Sequence, residues 1–260
     1  MTDAETIHHP GYRQPRFLPA GDAALSVELG DAIDETINAR VVALEEALAA
    51  RHVAGVIETV PTYRSLLVLF DPLVATHAGI AAAVRELWPP PERAAGARRL
   101  WRVPVCYGGE MGADLDFVAR AHDLTTDEVV ALHTAPTYRV YMIGFAPGFA
   151  YLGGLDERLV TSRREVPRPK TPPGSISIGG RQAAVSPPME VPSGWHLLGR
   201  TAARSYDPRR EQPFLFGPGD LICFHAVDAA GHAALIRAAE AGEEIVAPEE
   251  AGGAPSGATS

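Results

Sequence analysis

The chain has 260 residues, 46% of them hydrophobic and 21% charged, with a formal net charge of -9. That make-up belongs to a globular protein long enough for one large domain or two small ones. The acidic balance argues against nucleic-acid binding, no apolar run reaches membrane-spanning length, and Cys106 and Cys223 suggest neither a disulfide scaffold nor a zinc site.

The first residues are polar and show no signal peptide, so a cytoplasmic location is expected. Residues 1–14 read as a disordered tail, in which His8 and His9 are inert. Ala24–Leu29 alternates apolar and polar residues and predicts a half-buried strand. Asp34 offers an N-cap, and Ile37, Val41, Leu44 and Leu48 recur at helical spacing as far as Arg51. Val56–Val60 and Ser65–Phe70 read as strands, followed by a helix near Thr76–Trp88 that turns Ile80, Val84, Leu87 and Trp88 inward. The order β-α-β-β-α predicts an α+β fold, a small ferredoxin-like sandwich over residues 15–90. Pro89 to Ala97, rich in proline, is the expected linker.

A second domain is expected over 98–245, opening with the strand Leu100–Cys106. Asp114–His122 and Thr126–Ala131 read as short helices, the latter capped by Thr125 with Glu128. From Tyr138 to Thr201 glycine and proline recur too often for a long helix, and apolar runs such as Ile176–Ile178 have strand length. A closed or nearly closed β-structure with a polar pocket in its loops is the physical reading. Pro218-Gly219-Asp220 reads as a turn, Leu221–His225 as the last strand, Gly231–Ala241 as a helix and residues 247–260 as a disordered tail.

The pocket chemistry is expected in the glycine-studded stretch. Gly144, Phe145, Pro147, Gly148 and Phe149 form a loop whose amides and rings wall a ligand site, with Phe145 in the core and the Tyr151 hydroxyl turned to the ligand. The loop lacks the Gly-Lys-Ser/Thr ending of a P-loop. Ser175 lacks a nucleophile-elbow frame and is expected to donate a hydrogen bond at a turn. Arg168, Lys170 and Arg200 are candidates to pair with a carboxylate or phosphate, and Gln182 can offer donor and acceptor to a lactam. Tyr151, Arg168, Lys170, Ser175, Gln182, Arg200 and Thr201 make up the expected substrate-binding set. His133 is the candidate acid or base, a helix-end contact to a carbonyl being its alternative. No metal-ligand spacing is present. This is a pocket without a self-sufficient catalytic set, and a partner chain is expected to complete it.

The wording of the stretch resembles one family. It is carried by Gly144-Phe145-Ala146-Pro147-Gly148-Phe149-Ala150-Tyr151-Leu152, Pro173-Gly174-Ser175-Ile176, Gly179-Gly180 with Gln182, Gly194-Trp195 and Gly199-Arg200-Thr201. Upstream words agree: Phe17-Leu18-Pro19-Ala20-Gly21-Asp22, Tyr63-Arg64-Ser65-Leu66-Leu67-Val68 and Val103-Pro104-Val105-Cys106-Tyr107-Gly108-Gly109. The chain thus resembles, from about Phe17 to Phe224, allophanate hydrolase subunit 1. This family is also described as the sporulation kinase inhibitor family and as the B component of the bacterial ATP-dependent 5-oxoprolinase.

The resemblance implies a cyclophilin-like β-barrel for the second domain. It implies conversion of 5-oxoproline to glutamate with ATP as cofactor of the complex. The implied partner is a chain like allophanate hydrolase subunit 2, or like the C component of 5-oxoprolinase, with a third subunit that opens the ring. One alternative is a carboxyltransferase-type subunit acting on urea-like amides, with biotin carried on another chain because the biotinylation word is absent here. Another is a binding protein that inhibits a sensor histidine kinase. The chain departs from the family wording at Gln182-Ala183-Ala184-Val185-Ser186-Pro187, usually Gln-Thr-Gly-Ile-Tyr-Pro, and at Ser193, usually glycine. Both departures lie beside the expected pocket and bear on substrate choice.

Overall fold

The computed structural model describes residues 11–91 and 99–250. The chain forms two compact units, Met1–Ala94 and Ala95–Ser260, each with its own core. In the first unit the strands are β1 (Arg16–Pro19), β2 (Ala24–Glu28), β3 (Val56–Pro61) and β4 (Ser65–Phe70). They form an antiparallel sheet in the order β1-β2-β4-β3, and helices α1 (Glu35–Arg51) and α2 (His77–Glu86) pack on it. Leu25 and Val27 of β2 and Leu66, Val68 and Phe70 of β4 are buried, with half-buried residues between them, which is the two-residue period of a one-sided sheet.

The ferredoxin-like order is present, with β1 at the edge that a closing fourth strand of a β-α-β-β-α-β unit takes. Burial in β1 shows no alternation, so its sequence carries no strand period. The tail expected over residues 1–14 is corrected where it is described: the Tyr12 amide donates to the Leu29 carbonyl at 2.7 Å. Residues 1–10 lie outside the described residues, as do 92–98 of the expected linker, and Pro90 within that linker is buried.

Asp34 caps α1, its Oδ1 accepting from the amides of Thr36 at 2.8 Å and Ile37 at 3.0 Å. Asp34→Ala is expected to cost about 1 kcal/mol and to lower the melting point of this unit by about 5 °C. Calorimetry checks it, and an unchanged midpoint would remove the cap from the account.

The second unit contains β5 (Arg99–Tyr107), α3 (Leu115–Ala121), α4 (Thr126–Thr134), β6 (Tyr138–Ile143) and β7 (Ala150–Gly153). There follow β8 (Arg168–Thr171), β9 (Ser175–Gly179), β10 (Gln182–Val185), β11 (Val191–Ser193), β12 (His196–Arg200), β13 (Leu221–Ala226), α5 (Ala229–Glu240) and β14 (Pro248–Glu250). Seven strands close a barrel in the order β12-β9-β10-β7-β6-β13-β5, with β5 returning to β12. All neighbours are antiparallel except β13 and β5. β8 and β11 form a separate ribbon.

Alternate residues fill the barrel: Trp101, Val103 and Val105; Ala150 and Leu152; Ile176 and Ile178; Ala183 and Val185; Ile222 and Phe224. This is the barrel the resemblance implied. Closure depends on Gly199, which pairs with Tyr107; a Cβ there would lie 2.6 Å from the Cys106 carbonyl oxygen. The tail expected from 247 is corrected by β14, whose residues pair with Arg99, Leu100 and Trp101; residues 251–260 lie outside the described residues. Among the described residues, no helix is long and apolar enough to cross a membrane.

Candidate functional site: an aromatic wall and two clefts

The outward faces of β7, β10 and β9 make one wall of the barrel. Tyr151 pairs with Ala184, and Ala184 with Ser177. Over this wall Phe149, Ala184 and Trp195 form a small core of their own, against which Ala146 and Tyr151 pack. The Phe149 ring lies 4.7 Å from Tyr151 and 6.1 Å from Trp195, and the Arg163 guanidinium sits 5.3 Å above the Trp195 ring. Burial raises the Tyr151 pKa, with Arg163 opposing it, so the phenol stays a neutral donor.

The loop that leads to this wall departs from its expected form. Phe145, expected in the core, is 64% exposed at φ 68 and lies edge-on to Phe149 at 5.7 Å. The amides of Gly144, Ala146 and Phe149 all bond to carbonyls within the loop, so these three are not free to hold an anion. Gly148 packs against Ser205 and Tyr206, where Pro147 turns the chain back.

Several expected ligand contacts are taken by other partners. The Arg168 Nη2 donates to Asp114 Oδ1 at 2.7 Å, while its buried Nη1 has no hydrogen-bond partner among the described residues. Lys170 is 74% exposed and pairs with Glu190 at 2.9 Å, a contact that raises its pKa. The Ser175 hydroxyl is buried and donates to the Pro172 carbonyl at 2.7 Å, a turn contact. Thr201 is buried, and its hydroxyl oxygen accepts from the Ala203 amide at 3.1 Å.

His133 does not fit an acid–base role. It is 0% exposed, lies inside α4, stacks on Phe224 at 4.9 Å, and its Nδ1 is 2.8 Å from the Tyr107 hydroxyl rather than a carbonyl. Burial pulls its pKa down to about 3, so it remains neutral in the core. Nor do the remaining candidates converge. Gln182 faces Gly179 at one end of β9 and Arg200 faces Ser175 at the other, about 13 Å apart along the strand. The single polar pocket expected from sequence is therefore not formed.

Two clefts lie beside α5 instead, and they share Arg204 and Ala239. The wider, of about 840 Å³, is lined by Arg99, Trp101, Arg204, Asp207, Arg209, Arg210 and Phe214, together with residues from 242–248. Its arginines are largely committed. Arg99 holds Asp220 at 2.7 Å, and Arg209 and Arg204 hold Asp207 at 2.6 and 3.3 Å. The Arg209 hydrogen bonds, ahead of the charges of Arg209 and Arg204, keep the Asp207 carboxyl far below the ordinary carboxylate range.

The narrower cleft, of about 170 Å³, is lined by Gly174, Arg200, Thr201, His232 and Glu240 among others. Its floor is tight: Gly174 has φ +67, and a Cβ there would lie 2.4 Å from the Thr201 carbonyl oxygen. Arg200 and Thr201 are the expected residues that meet in a cleft. Sequence reading missed His232 and the Arg204–Phe214 loop. His232, Ile236 and Ala239 stand at i, i+4 and i+7, so their common helix face was the available signal.

A closed barrel preceded by a small α+β unit is the architecture of a carboxyltransferase-type domain. The urea amidolyase of K. lactis shares the fold, with 91% of this chain aligned to 16% of that one at TM-score 0.77 and 19% identity. The chain belongs to the family described as carboxyltransferase domain, subdomain C and D, whose model matches residues 15–216. It is 37% identical over 215 residues to the 5-oxoprolinase B component of Bacillus subtilis, covering 78% of this chain and 89% of that protein. The solved structure of TTHA0988 aligns with 80% of this chain at TM-score 0.72 and 34% identity, and the chain spans 40% of that longer polypeptide.

Proposed function

We propose that the chain is a subunit of a 5-oxoprolinase, counterpart of the B component, and that it acts only in complex with a second carboxyltransferase-like chain. In this reading the complex uses ATP to activate 5-oxoproline, a further subunit opens the ring to glutamate, and the assembly is cytoplasmic. The identity to the Bacillus subtilis protein over 89% of its length carries the proposal. The site supports non-autonomy: the Ser175 hydroxyl is spent on a carbonyl, His133 is sealed in the core, and the aromatic wall and the clefts present binding groups. The longer TTHA0988 chain supports a partner, since most of it lies beyond the part this chain matches.

The test is reconstitution. The purified chain alone is expected to release no ADP on addition of 5-oxoproline, and co-expression with a partner like the C component to give 5-oxoproline-dependent ADP release. If ADP release by the reconstituted complex ignores 5-oxoproline, the substrate is wrong. If it responds to urea and a biotin carrier instead, the carboxyltransferase alternative replaces it.

A further inference from the structure

We propose that the narrow cleft between β12 and α5 is a subsite for the carboxylate of a small metabolite, held by Arg200 and His232. Arg200 is the charged group available there. Its Nε donates to the Pro173 carbonyl at 3.2 Å, which orients the guanidinium, and no carboxylate pairs with it among the described residues. Its neighbours Arg99 and Arg209 are paired through hydrogen bonds, and Arg204 is held by Asp207 in an ion pair at 3.3 Å, although its buried Nε makes no hydrogen bond among the described residues. An oriented, unpaired guanidinium is a two-pronged donor suited to a carboxylate.

His232 supplies an independent observation. It lines the same cleft, is 2% exposed, and its Nδ1 has no hydrogen-bonding partner among the described residues. A buried polar nitrogen left without a partner is costly, and turning the ring so that a protonated Nδ1 meets a ligand oxygen in the cleft would satisfy it. Burial, and then the Arg200 charge, lower the His232 pKa in the empty cleft, which favours the neutral imidazole there. Glu240 lines the cleft as well, and its negative charge favours a singly charged guest over a phosphate dianion. The volume of about 170 Å³ suits a compact acid and not a nucleotide. The backbone contributes no anion nest here, because the Gly174 and Thr201 amides donate to the carbonyls of Pro187 and Gly174. The cleft's chemistry carries this by itself, and the 5-oxoprolinase reading enters only through the choice of the first probe.

The experiment is NMR of the imidazole resonances of the full chain, with the His232 signal identified from its loss in His232→Gln. Titration with 5-oxoproline, with lactate and with inorganic phosphate is followed at that signal. Saturable shifts with a carboxylate probe, weaker shifts with phosphate, and at least a tenfold weakening in Arg200→Gln are expected. Arg200→Lys keeps the charge but not the fork and should fall between the two. A response to lactate but not to 5-oxoproline would uphold the subsite while counting against the proposed substrate. No saturable shift with either carboxylate, tighter binding of phosphate, or unchanged affinity in Arg200→Gln would overturn the subsite whatever the turnover assay shows.

Discussion

Asp220→Asn is expected to destabilise the barrel unit by about 3 kcal/mol and to lower its melting point by about 9 °C. The carboxylate is buried and accepts four hydrogen bonds. Oδ1 takes Arg99 Nε at 3.0 Å, while Oδ2 takes Arg99 Nη2 at 2.7 Å, Trp101 Nε1 at 2.9 Å and the Gly217 amide at 2.9 Å. Its carbonyl also receives the Val140 amide at 2.8 Å. One residue thereby ties the start of β5, the turn into β13 and strand β6 together. Asparagine keeps the shape but sets an NH₂ group against a donor, and a buried donor without an acceptor pays the full desolvation cost. Arg99→Gln should cost less, about 1 kcal/mol, because the arginine is 40% exposed. Calorimetry on both variants checks this. Equal small losses would show that solvent, not Asp220, satisfies these donors.

The second large effect is expected at Asp114. This buried carboxylate accepts from Arg168 at 2.7 Å, from the Leu197 amide at 2.8 Å and from Arg164 at 3.4 Å, while its own amide donates to the Leu197 carbonyl at 2.9 Å. It therefore fastens the start of α3 to β12 and to the β8 ribbon. Burial pushes its pKa up, but the Arg168 hydrogen bond, the Leu197 amide and the charges of Arg168 and Arg164 outweigh burial, and the pKa lies below its ordinary value. Removing it in Asp114→Ala leaves Arg168 partly buried without its counter-charge, at a cost of about 3 kcal/mol.

The depressed pKa also sets a pH dependence. The stabilisation is complete above the unfolded carboxylate value of about 4 and is lost as pH falls through the lower folded value. Urea unfolding between about pH 6 and pH 3 should therefore show a shallower loss of stability in Asp114→Asn than in the unaltered chain. Parallel profiles would remove Asp114 from the acid response.

The departures from the family wording acquire a physical meaning from the fold. Ala183 and Val185 point into the barrel core, so the hydroxyl missing at position 183 is a packing change and not a lost ligand contact. Ala184 lies under Phe149 and Trp195 on the outer wall, where it affects how those rings sit. Ser193 accepts from the Trp195 amide at 3.0 Å through its hydroxyl, a contact glycine cannot make. Substrate choice is therefore expected to respond to the aromatic wall more than to the inward positions of β10.

The sequence by itself determined much of the framework. Apolar spacing and an aspartate cap specify α1, the two-residue period specifies β2, short apolar runs of strand length mark β4 and β9, and the glycine-rich words of residues 144–201 carry the family. Such signals are local, because burial on one face repeats with the period of the element itself. What only the tertiary structure decided is which partner each polar group finds. Arg168 meets Asp114 across 54 residues and Arg99 meets Asp220 across 121, while Arg200 is left facing a histidine from a helix that follows the matched words. Strands β1 and β14 escaped notice for the same reason: an exposed edge strand has no burial period, and its hydrogen bonds are supplied by a neighbour that closure of the sheet brings alongside.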